Sequence, residues 1–300
     1  MARCLVTGGA GFIGSHLTDQ LLADGHEVIV IDSLLLGKRE FVNEKASFQE
    51  MDIREFSKML PLCNGIDVIF HLAADPRLPL SIEDPQETHA VNVTGTLNVL
   101  DAARQAGVKK VIITSSAAVY GDEPLPISED MVPRPKSPYG MHKHMDEQYA
   151  RLFHDLYGLE TVSLRYFNVY GPRKLANGGY PMVIPVFLEQ QKKGQPLTIT
   201  GDGNQTRDYV HVSDVVRANI LAWQSDVHSG EPINIANGVQ TSVNEIATLI
   251  GGEKTYISER KGEVRFMQAN ISKAKELLGW EPTVELADGI AELKKTWNIA

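Results

Sequence analysis

A glycine-rich turn near the beginning of the chain is the feature that most restricts its fold. The segment T-G-G-A-G-F-I-G at 7–14 follows an apolar run that ends at Val6, and apolar residues recur after it with helical spacing. Strand, glycine turn and helix in this order are typical of a dinucleotide-binding unit, because the turn requires residues without a Cβ and phosphate rests on the helix N-terminus. Gly9, Gly11 and Gly14 match the spacing G-x-G-x-x-G. We therefore predict that the chain begins a parallel α/β sheet.

An acidic residue ends the second predicted strand. Apolar residues fill 28–31, and Asp32 follows them about 20 residues beyond the glycine turn, where a carboxylate can accept hydrogen bonds from the adenosine ribose hydroxyls. A carboxylate at this place repels the 2′-phosphate of NADP. The sequence therefore predicts NAD as the cofactor.

The pattern Y-x-x-x-K occurs twice, at 139–143 and at 170–174. The first copy follows a Ser-Pro pair typical of a helix N-terminus, and the helical pattern of apolar residues continues beyond it. On a helix, the tyrosine and the lysine of this copy share one face. The second copy contains a Gly-Pro pair, which breaks a helix. We therefore predict that Tyr139 and Lys143 are the functional pair.

Hydroxyl groups from two segments provide the predicted catalytic chemistry. A free phenol has a pKa near 10 and is a poor base at neutral pH, but a neighbouring ammonium and an oxidised nicotinamide favour the phenolate. Tyr139 is thus the predicted base, and Lys143 the group that lowers its pKa. The segment T-S-S-A-A-V-Y-G at 114–121 follows a predicted strand, so its hydroxyls lie at a carboxyl-terminal strand edge, where ligands bind. Ser116 is the candidate partner of a substrate hydroxyl, and Ser115 is the competing choice.

Seven segments in order resemble one enzyme family over nearly the whole chain. They are T-G-G-A-G-F-I-G at 7–14, Asp32, H-L-A-A at 71–74, S-S-A-A-V-Y-G at 115–121, S-P-Y-G-M-H-K at 137–143, L-R-Y-F-N-V-Y-G-P-R at 164–173 and R-D-Y-V-H-V at 207–212. They resemble the extended short-chain dehydrogenase/reductase family, and within it the nucleotide-sugar 4-epimerases of the UDP-glucose/UDP-galactose type. The resemblance implies an α/β fold, with a doubly wound parallel (Rossmann) sheet and a smaller C-terminal α/β lobe for the substrate.

The same resemblance implies roles for individual residues. Ser116, Tyr139 and Lys143 would form the catalytic group, and Lys143 would also hold the nicotinamide ribose. The cofactor would further contact Gly8, Gly11, Phe12, Ile13, Gly14, Asp32, Asp52, Ile53, Leu72, Ala73, Ala74, Asn92 and Tyr166. The substrate would contact Ser116, Tyr139, Asn168, Thr198, Thr200, Arg207, Arg260 and Glu263, with both threonines presenting backbone groups to the base.

The implied substrate residues differ in what they would recognise. Asn168 would contact the sugar-linked diphosphate, and Arg207 and Arg260 its phosphates, since forked guanidinium groups fit phosphate oxygens. Glu263 would bind the nucleoside ribose, although it replaces the Asp of the family's R-x-G-D motif. Met267 aligns with the region where pocket volume decides whether an N-acetyl group is accepted.

The residues that follow Ser116 bear on the reaction. The sugar dehydratases and decarboxylases of the resembled family carry acidic residues near this place to move a proton, whereas this chain has Ala117, Ala118 and Val119. The sequence therefore favours an enzyme that only removes and returns hydride, and the resemblance implies NAD-dependent epimerisation at C4 of a UDP-sugar, through a transient 4-keto sugar. A dehydratase or reductase of the same family is the alternative. A dinucleotide-binding protein without turnover is a further alternative, and the retained Tyr/Lys pair opposes it.

Composition and charge exclude several classes of function. The 300 residues carry a formal net charge of −9, which argues against general nucleic-acid binding. The nine histidines lack metal-ligand spacing, so no metal site is predicted, and His142 is expected to be partly exposed on its helix. The two cysteines have no C-x-x-C spacing, no signal peptide precedes the first strand, and no apolar run approaches a membrane span. We expect a cytoplasmic protein with reduced thiols and no membrane partner.

The order of predicted elements gives a domain organisation. Strands are predicted near 2–6, 28–32, 48–51, 66–72, 108–115 and 161–166, with helices between them. The predicted domains are an NAD-binding Rossmann domain over 1–173, to which 208–236 returns with a strand at 233–235, and a nucleotide-sugar-binding lobe over 174–207 and 237–300, with a helix near 183–193. By resemblance, helices near 86–106 and 138–157 would pair two subunits into a homodimer.

Overall fold

A sheet of parallel strands forms the centre of the molecule. The computed structural model describes residues 1–174, 182–259 and 265–299. The strands are β1 (Arg3–Thr7), β2 (Glu27–Asp32), β3 (Ser47–Glu50), β4 (Val68–His71), β5 (Lys110–Ser116), β6 (Glu160–Tyr166), β7 (Asn168–Tyr170), β8 (Leu197–Thr200), β9 (Thr206–Arg207), β10 (Tyr209–His211), β11 (Ser229–Ile235), β12 (Thr241–Ser242) and β13 (Lys254–Ile257). The helices are α1 (Phe12–Ala23), α2 (Phe56–Leu62), α3 (Leu78–Glu83), α4 (Pro85–His89), α5 (Gly95–Ala106), α6 (Pro138–Tyr157), α7 (Val183–Lys192), α8 (Val212–Gln224), α9 (Val243–Ile250), α10 (Ser272–Leu278) and α11 (Leu286–Trp297).

The strand order is that of a doubly wound sheet. Seven strands pair in the order β11-β6-β5-β4-β1-β2-β3, and every neighbouring pair is parallel. The chain order reverses between β1 and β4, so their helical connections cover opposite faces and a crevice opens at the carboxyl ends of these two strands. The fold predicted from the sequence is therefore confirmed. The six strands predicted between residues 2 and 166 lie within two residues of β1 to β6, whereas β11 begins at Ser229, four residues before the strand predicted at 233–235.

Two apolar layers cover the sheet, because successive side chains of a strand point to opposite faces. On β1, Val6 belongs to one layer, which includes Leu17 of α1 and Val215 of α8. Leu5 belongs to the other layer, with Val99 of α5. Strands buried on both faces keep the strand ends, and the side chains that project from them, in fixed positions.

A third apolar cluster lies in a smaller lobe made of later elements. It joins Phe187 of α7, Ile199 of β8, Ile246 of α9 and Leu293 of α11, all at most 2% exposed. β8 pairs with β13 in parallel and contributes a second, two-stranded sheet. This cluster contains the elements that the sequence assigns to substrate binding.

The structure corrects one part of the predicted division. The residues of α10 and the tryptophan after it lie within the predicted range 237–300 of the substrate lobe, yet Ala274, Leu278 and Trp280 are buried in the first core. The indole Nε1 of Trp280 donates to the carbonyl of Asp214 in α8 at 2.9 Å. The chain therefore returns to the Rossmann sheet once more before α11, and Gly279 at the end of α10 and Pro282 lie in this crossing.

The structure also divides a helix that the sequence predicts as continuous. Between α4 and α5 the residues Ala90–Thr94 form a π-helical turn. A π turn inserts an extra residue into the helical ladder, and such turns frequently occur at functional sites. Here it carries Asn92, which is fully buried.

Candidate active site

The predicted site residues of the Rossmann domain converge on the crevice between β1 and β4. The glycine turn follows β1, the segment 72–75 follows β4, and Ser116 is the last residue of β5. Carboxyl ends of parallel strands meet at one edge of a sheet, so these three loops are neighbours. α6 brings Tyr139 and Lys143 to the same edge, with its N-terminus packed beside the turn that follows Ser116.

The glycine turn is shaped for a phosphate group. Gly8 has φ +73°, and a Cβ on it would lie 2.7 Å from the amide nitrogen of Ala73. A Cβ on Gly14 would collide with the carbonyl oxygen of Gly8. The N-cap of α1 is Gly11, which offers no side chain to the first amides of the helix. The amides of Phe12 and Ile13 therefore begin a helix whose positive end can accept the pyrophosphate of a dinucleotide.

Asp32 is held rigidly at the end of β2. It is 8% exposed, and its carboxylate accepts hydrogen bonds from the amides of Ala10 at 3.0 Å and Leu34 at 2.8 Å. Burial raises the pKa of this carboxyl, and the two amides oppose the rise. Each carboxylate oxygen keeps a second lone pair for a ribose hydroxyl. The glycine turn and this carboxylate together fit the pyrophosphate and the adenosine ribose of NAD.

Further predicted cofactor residues line the same crevice. Asp52 follows β3 and accepts from Nε and Nη2 of Arg54 at 3.0 and 2.8 Å, while Ile53 beside it is buried against Gly95. The residues after β4 are Leu72, Ala73 and Ala74, and the amides of the first two donate to the carbonyl and the hydroxyl of Thr7.

Ser115 and Ser116 face different surroundings, which separates the two alternatives. The Oγ of Ser115 donates to Oε1 of Glu147 at 2.5 Å, within a buried network that also binds Arg165. Ser116 instead lies beside Tyr139 and lowers the pKa of its phenol through a side-chain hydrogen bond. The geometry therefore favours Ser116 over Ser115 as the hydroxyl available to a substrate.

Tyr139 sits in the first turn of α6. The hydroxyl of Ser137 caps the helix by accepting from the amide of Gly140 at 3.1 Å, and the Tyr139 amide donates to Oγ of Ser81 at 3.2 Å. Burial raises the pKa of the Tyr139 phenol, and the positive charge of Lys143 lowers it by a smaller amount. The protein groups alone therefore leave this phenol protonated, so the depression predicted from the Lys143 charge is outweighed by burial.

Lys143 has a partner that the sequence analysis missed. Its Nζ lies 3.1 Å from Oδ2 of Asp146, and the two side chains are 1% and 0% exposed. Burial lowers the pKa of Lys143, but the charges of Asp146 and Tyr139 outweigh this and raise it overall. The signal for Asp146 was its i, i+3 spacing from Lys143 on the buried face of α6.

The loop after β4 is fixed by the π turn. The amide of Asp75 donates to Oδ1 of Asn92 at 2.7 Å, and Nδ2 of Asn92 donates to the carbonyl of Asp75 at 3.0 Å. The carboxylate of Asp75 accepts from Nε of Arg77 at 2.9 Å and from Nη2 at 2.5 Å. Asn92 was predicted to contact the cofactor, but its side-chain amide is hydrogen-bonded to the backbone of this loop.

Tyr166 also has a protein partner. Its hydroxyl is bound to the side-chain amide of Asn219 in α8, with a distance of 2.9 Å to Oδ1. Burial raises the pKa of this phenol to about 12. The predicted cofactor contact of Tyr166 would thus have to come from its ring or backbone, since the hydroxyl is turned toward α8.

The substrate residues of the described chain lie on the smaller lobe and its border. Nδ2 of Asn168 is 3.1 Å from the carbonyl of Asp208 and 3.6 Å from Sδ of Met267, so the predicted diphosphate and pocket residues are in contact. Nη1 of Arg207 donates to the carbonyl of Thr206 at 2.8 Å. Arg260 and Glu263 lie outside the described residues.

The two threonines of β8 differ in what they leave free. The amide of Thr198 donates to Oε1 of Gln190 at 3.1 Å, and its hydroxyl accepts from Nε2 of the same residue at 2.7 Å. The carbonyl of Thr200 accepts from Nε2 of Gln205 at 2.9 Å. We predicted that the backbone of Thr198 binds the base, but its amide already donates to Gln190.

The rejected pair at 170–174 has no catalytic arrangement. Tyr170 ends β7 and is buried with its ring against Gly289, whereas Lys174 lies in the following loop with Nζ 5.2 Å from the ring centre of Phe12. Burial lowers the pKa of Lys174 to about 8. The phenol and the ammonium thus face different neighbours, as expected for a sequence that cannot continue a helix.

His142 differs from its expected exposure. It is 4% exposed, and its ring packs edge-on against His89 of α4 with ring centres 5.2 Å apart. Burial, His89 and Lys143 lower its pKa to about 4, so it is neutral at physiological pH. The short helices α3 and α4 pack on α6; α4 begins the helix predicted near 86–106, whereas α3 was not predicted.

The described part of the chain was also expected to lack a metal site and a membrane span. Residues 1–174, 182–259 and 265–299 contain no group of three or more His, Cys, Asp or Glu side chains that could hold a metal ion. In the same part of the chain, no helix is both long and apolar enough to span a bilayer.

The fold and the site together define an extended short-chain dehydrogenase/reductase: a doubly wound sheet, a glycine turn beside an acidic strand end, and a Ser/Tyr/Lys group on β5 and α6. Residues 4–236 match the family described as NAD dependent epimerase/dehydratase. The chain belongs to this family, and NAD is its cofactor.

Individual relatives resemble the chain over almost its whole length. It is 41% identical to a putative UDP-glucose 4-epimerase of Methanocaldococcus jannaschii, with 95% of each chain covered. It is also 41% identical to a UDP-glucose 4-epimerase of Mycolicibacterium smegmatis, over 97% of this chain and 96% of that one. The crystal structure of UDP-glucose 4-epimerase from Thermotoga maritima with UDP-glucose superposes with a TM-score of 0.93 at 40% identity, covering 98% of this chain and 99% of the other.

Proposed function

We propose that the protein interconverts UDP-sugars that differ in configuration at C4, with UDP-glucose and UDP-galactose or their N-acetyl forms as substrates. The observation that carries this proposal is the Ser116, Tyr139 and Lys143 group at the carboxyl edge of the sheet, followed by apolar residues where a second proton donor would stand. Its relatives named as UDP-glucose 4-epimerases support the choice of nucleotide and sugar.

The residues that would hold NAD follow from the crevice. The glycine turn and the first amides of α1 would bind the pyrophosphate, and Asp32 the adenosine ribose. Lys143 would hold the nicotinamide ribose, and Asp52, Ile53 and the residues after β4 would border the adenosine and nicotinamide. When bound there, NAD accepts a hydride from the sugar and returns it.

The chain's own residues manage the proton and the orientation of the sugar. Tyr139, as phenolate, takes the proton of the C4 hydroxyl while the C4–H bond is broken, and the O–H pair becomes the carbonyl of a 4-keto sugar. Ser116 donates a hydrogen bond to the same oxygen throughout. After the ketone has turned in the pocket, hydride reaches the opposite face of C4 and Tyr139 returns the proton. No group leaves the sugar, so the reaction requires no reactant besides the bound NAD.

The nucleotide must remain anchored while the sugar turns. We propose that Asn168, Arg207 and Arg260 hold the diphosphate, Glu263 the uridine ribose, and the β8 segment of Thr198 and Thr200 the base. Charge-assisted hydrogen bonds from arginine to phosphate are strong enough to keep one end of the substrate fixed. The chain as a whole carries a net charge of −9, so these local cations must provide the attraction.

A dehydratase or decarboxylase needs an acidic group beside the 4-keto sugar. Ala117 and Val119 are buried and apolar. Two carboxylates act on Tyr139 through their charge: Asp146 is paired with the Lys143 ammonium, and Asp75 is bound by the Arg77 guanidinium on both oxygens. A carboxylate engaged in this way is a poor proton carrier, which supports epimerisation over elimination.

The protein is proposed to act as a homodimer. The outward face of α6 carries the apolar residues Met141, Leu152 and Leu156, which are 41%, 45% and 62% exposed. Their spacing places them on one side of the helix, beside α5. Pairing of α5 and α6 with the same helices of a second subunit would bury this stripe.

The function is tested by incubating the purified protein with UDP-glucose, UDP-galactose, their N-acetyl forms and UDP-glucuronate, without added cofactor. The configuration at C4 is then followed by NMR. Interconversion of one pair is expected and identifies the sugar. A 4-keto or deoxy product, or a reaction that starts only when NADPH is added, would contradict the proposal.

A further inference from the structure

A buried carboxylate lies next to the lysine of the site. Asp146 stands one helical turn beyond Lys143, with Oδ2 3.1 Å from Nζ, and neither side chain reaches solvent. A buried ion pair is costly to form unless its remaining polar atoms are satisfied. Helix stability alone therefore does not explain why Lys143 and Asp146 are buried together.

The second oxygen of this carboxylate is not satisfied. In residues 1–174, 182–259 and 265–299, Oδ1 of Asp146 has no hydrogen-bond partner. The hydroxyl of Thr96 in α5 lies close enough to Asp146 to lower its pKa, but it donates its single proton to the carbonyl of Asn92 at 2.5 Å. Burial raises the pKa of Asp146 to about 6, against the opposing effect of Lys143. The carboxylate is therefore a group that can exchange a proton close to physiological pH.

The surroundings contain few other charges that could change in that range. From β4, His71 faces Lys143, but burial and Lys143 lower its pKa to about 3, so it is neutral; its Nδ1 is 2.7 Å from Oγ1 of Thr7 and its Nε2 2.9 Å from Oγ1 of Thr96. The remaining neighbours are Asp75, paired with Arg77 in the loop after β4, Glu147 of α6, paired with Arg165 of β6, and the neutral His142 of α6 against His89 of α4.

We infer that Asp146 is a positioning residue that fixes the Lys143 ammonium beneath the site and offsets part of the positive charge that Tyr139 meets. This deepens the proposed function, on which its catalytic consequence rests. The polar contact of Asp146 is with the Lys143 ammonium, and it acts through that group. A single ammonium shared between a carboxylate and a phenol stabilises the phenolate less than an ammonium that serves the phenol alone.

The sign of the effect follows from the charges. An ionised Asp146 disfavours deprotonation of Tyr139 and of Lys143 alike, because each loses a proton more readily when a neighbouring negative charge is removed. A neutral residue at 146 should therefore move the titration of Tyr139 to lower pH. Below about pH 6, where Asp146 itself becomes neutral, the wild-type protein should approach the behaviour of such a variant.

The direct test is a titration of Tyr139 in the holoenzyme. Protein labelled with ¹³Cζ-tyrosine is titrated by NMR, and the Tyr139 signal is identified by its loss in Tyr139→Phe. We expect Asp146→Asn to lower the midpoint of this signal by about one pH unit. Asp146→Glu, which keeps the charge, should restore most of the wild-type midpoint.

A matched control neutralises another buried carboxylate far from the site. Asp214 is 1% exposed and accepts from Thr283 and Val284 of the segment that precedes α11. Asp214→Asn should lower stability and leave the Tyr139 titration where it is. If Asp146→Asn likewise leaves the titration unmoved, Asp146 is only structural and the inference is wrong.

Two further readouts keep the outcome unambiguous. With the substrate identified as above, Asp146→Asn should shift the acidic limb of kcat by the same amount and leave KM nearly unchanged. A shifted titration without any epimerisation would remove the proposed function and keep the inference. If Asp146→Asn does not fold, the wild-type Tyr139 signal should itself show an inflection near pH 6, and its absence would overturn the inference.

Discussion

At the scale of single residues, burial and charge act on the Tyr139 phenol in opposite directions. Burial raises its pKa, and Lys143 and Ser116 lower it. Because burial dominates among the protein groups, ionisation of Tyr139 must depend on further positive charge in the crevice, which an oxidised nicotinamide provides. As the proposed base, Tyr139 would therefore ionise chiefly when the cofactor is present.

Removal of this hydroxyl gives the first prediction. Tyr139→Phe should lower turnover by a factor of about 100 to 10,000, the range that proton transfer by a positioned side chain contributes, and should leave bound NAD in place. Turnover is measured by NMR and NAD content by absorbance after denaturation. Tyr157→Phe, on the same helix and 52% exposed, should behave like the wild type. Near-normal turnover of Tyr139→Phe would remove it from the mechanism.

The glycine turn gives a second prediction at this scale. Gly14→Ala places a methyl group against the carbonyl oxygen of Gly8. Backbone cannot move aside as a side chain can, so we expect a loss of about 1–3 kcal/mol in the free energy of unfolding and a reduced NAD content. Gly107→Ala is the control, since its φ of +73° is strained but open space surrounds it. It should lose about 1 kcal/mol and keep its NAD, and a Gly14→Ala protein with full NAD would contradict the steric argument.

Sequence patterns could indicate most candidate residues but not their partners. The i, i+4 spacing identified Tyr139 and Lys143, whereas nothing in the sequence could show that Ser115 turns to Glu147 while Ser116 turns to the crevice. Asn92 was assigned by resemblance, and its use on the Asp75 backbone depends on a π turn that no local propensity signals. Partner choice is decided by tertiary packing, which a single strand or helix pattern does not contain.

At the scale of elements, α6 is fixed to the sheet by a buried ionic network. The carboxylate of Glu147 accepts from Nε and Nη2 of Arg165, both at 2.7 Å, and from the hydroxyl of Ser115. Arg165 in turn donates to the hydroxyl of Tyr120 at 2.7 Å. The network joins β5, β6 and α6, and two of these elements, β5 and α6, carry the proposed catalytic residues Ser116, Tyr139 and Lys143.

Glu147→Gln should therefore destabilise the fold strongly. It leaves the Arg165 charge buried without a counter-charge, which costs about 3–5 kcal/mol, as measured by urea unfolding. Glu189→Gln is the control, because its pair with Lys193 on α7 is exposed, and the change should stay within about 0.5 kcal/mol. Equal effects of the two variants would contradict a stabilising network.

The same pair predicts a pH dependence. Burial acts to raise the pKa of Glu147, but the hydrogen bonds and charge of Arg165 outweigh burial and hold it below the usual 4.5. A carboxyl whose folded pKa is depressed contributes stability above its unfolded pKa, and this contribution is lost as the pH falls through the folded value. The difference in unfolding free energy between wild type and Glu147→Gln should therefore be constant near pH 7 and shrink below about pH 4. A difference that persists to pH 2 would show that packing, not charge, is responsible.

At the scale of the whole molecule, the parallel sheet was predictable because it depends on periodicity and strand spacing. The boundary between the lobes was harder to predict, because α10 is short. Its place in the Rossmann domain is shown only by Leu278 and Trp280, which pack into the first core. The packing of the exposed face of α6 was also difficult to predict from the sequence. Its apolar spacing fits either internal packing or a second subunit, and the structure leaves Leu152 and Leu156 at the surface.

This stripe gives the last prediction. An exposed apolar stripe on a long helix is stabilised when a second copy covers it, and a charge placed on the stripe must then be desolvated on association. Leu156→Asp should convert a dimer into a monomer, as measured by analytical ultracentrifugation, because its carboxylate would lose its hydration in the covered stripe. Leu277→Asp changes a leucine that is 37% exposed on α10, away from the stripe, and should remain dimeric. A wild-type protein that sediments as a monomer at micromolar concentration would show that the stripe pairs with nothing of its own kind, and the homodimer would have to be abandoned.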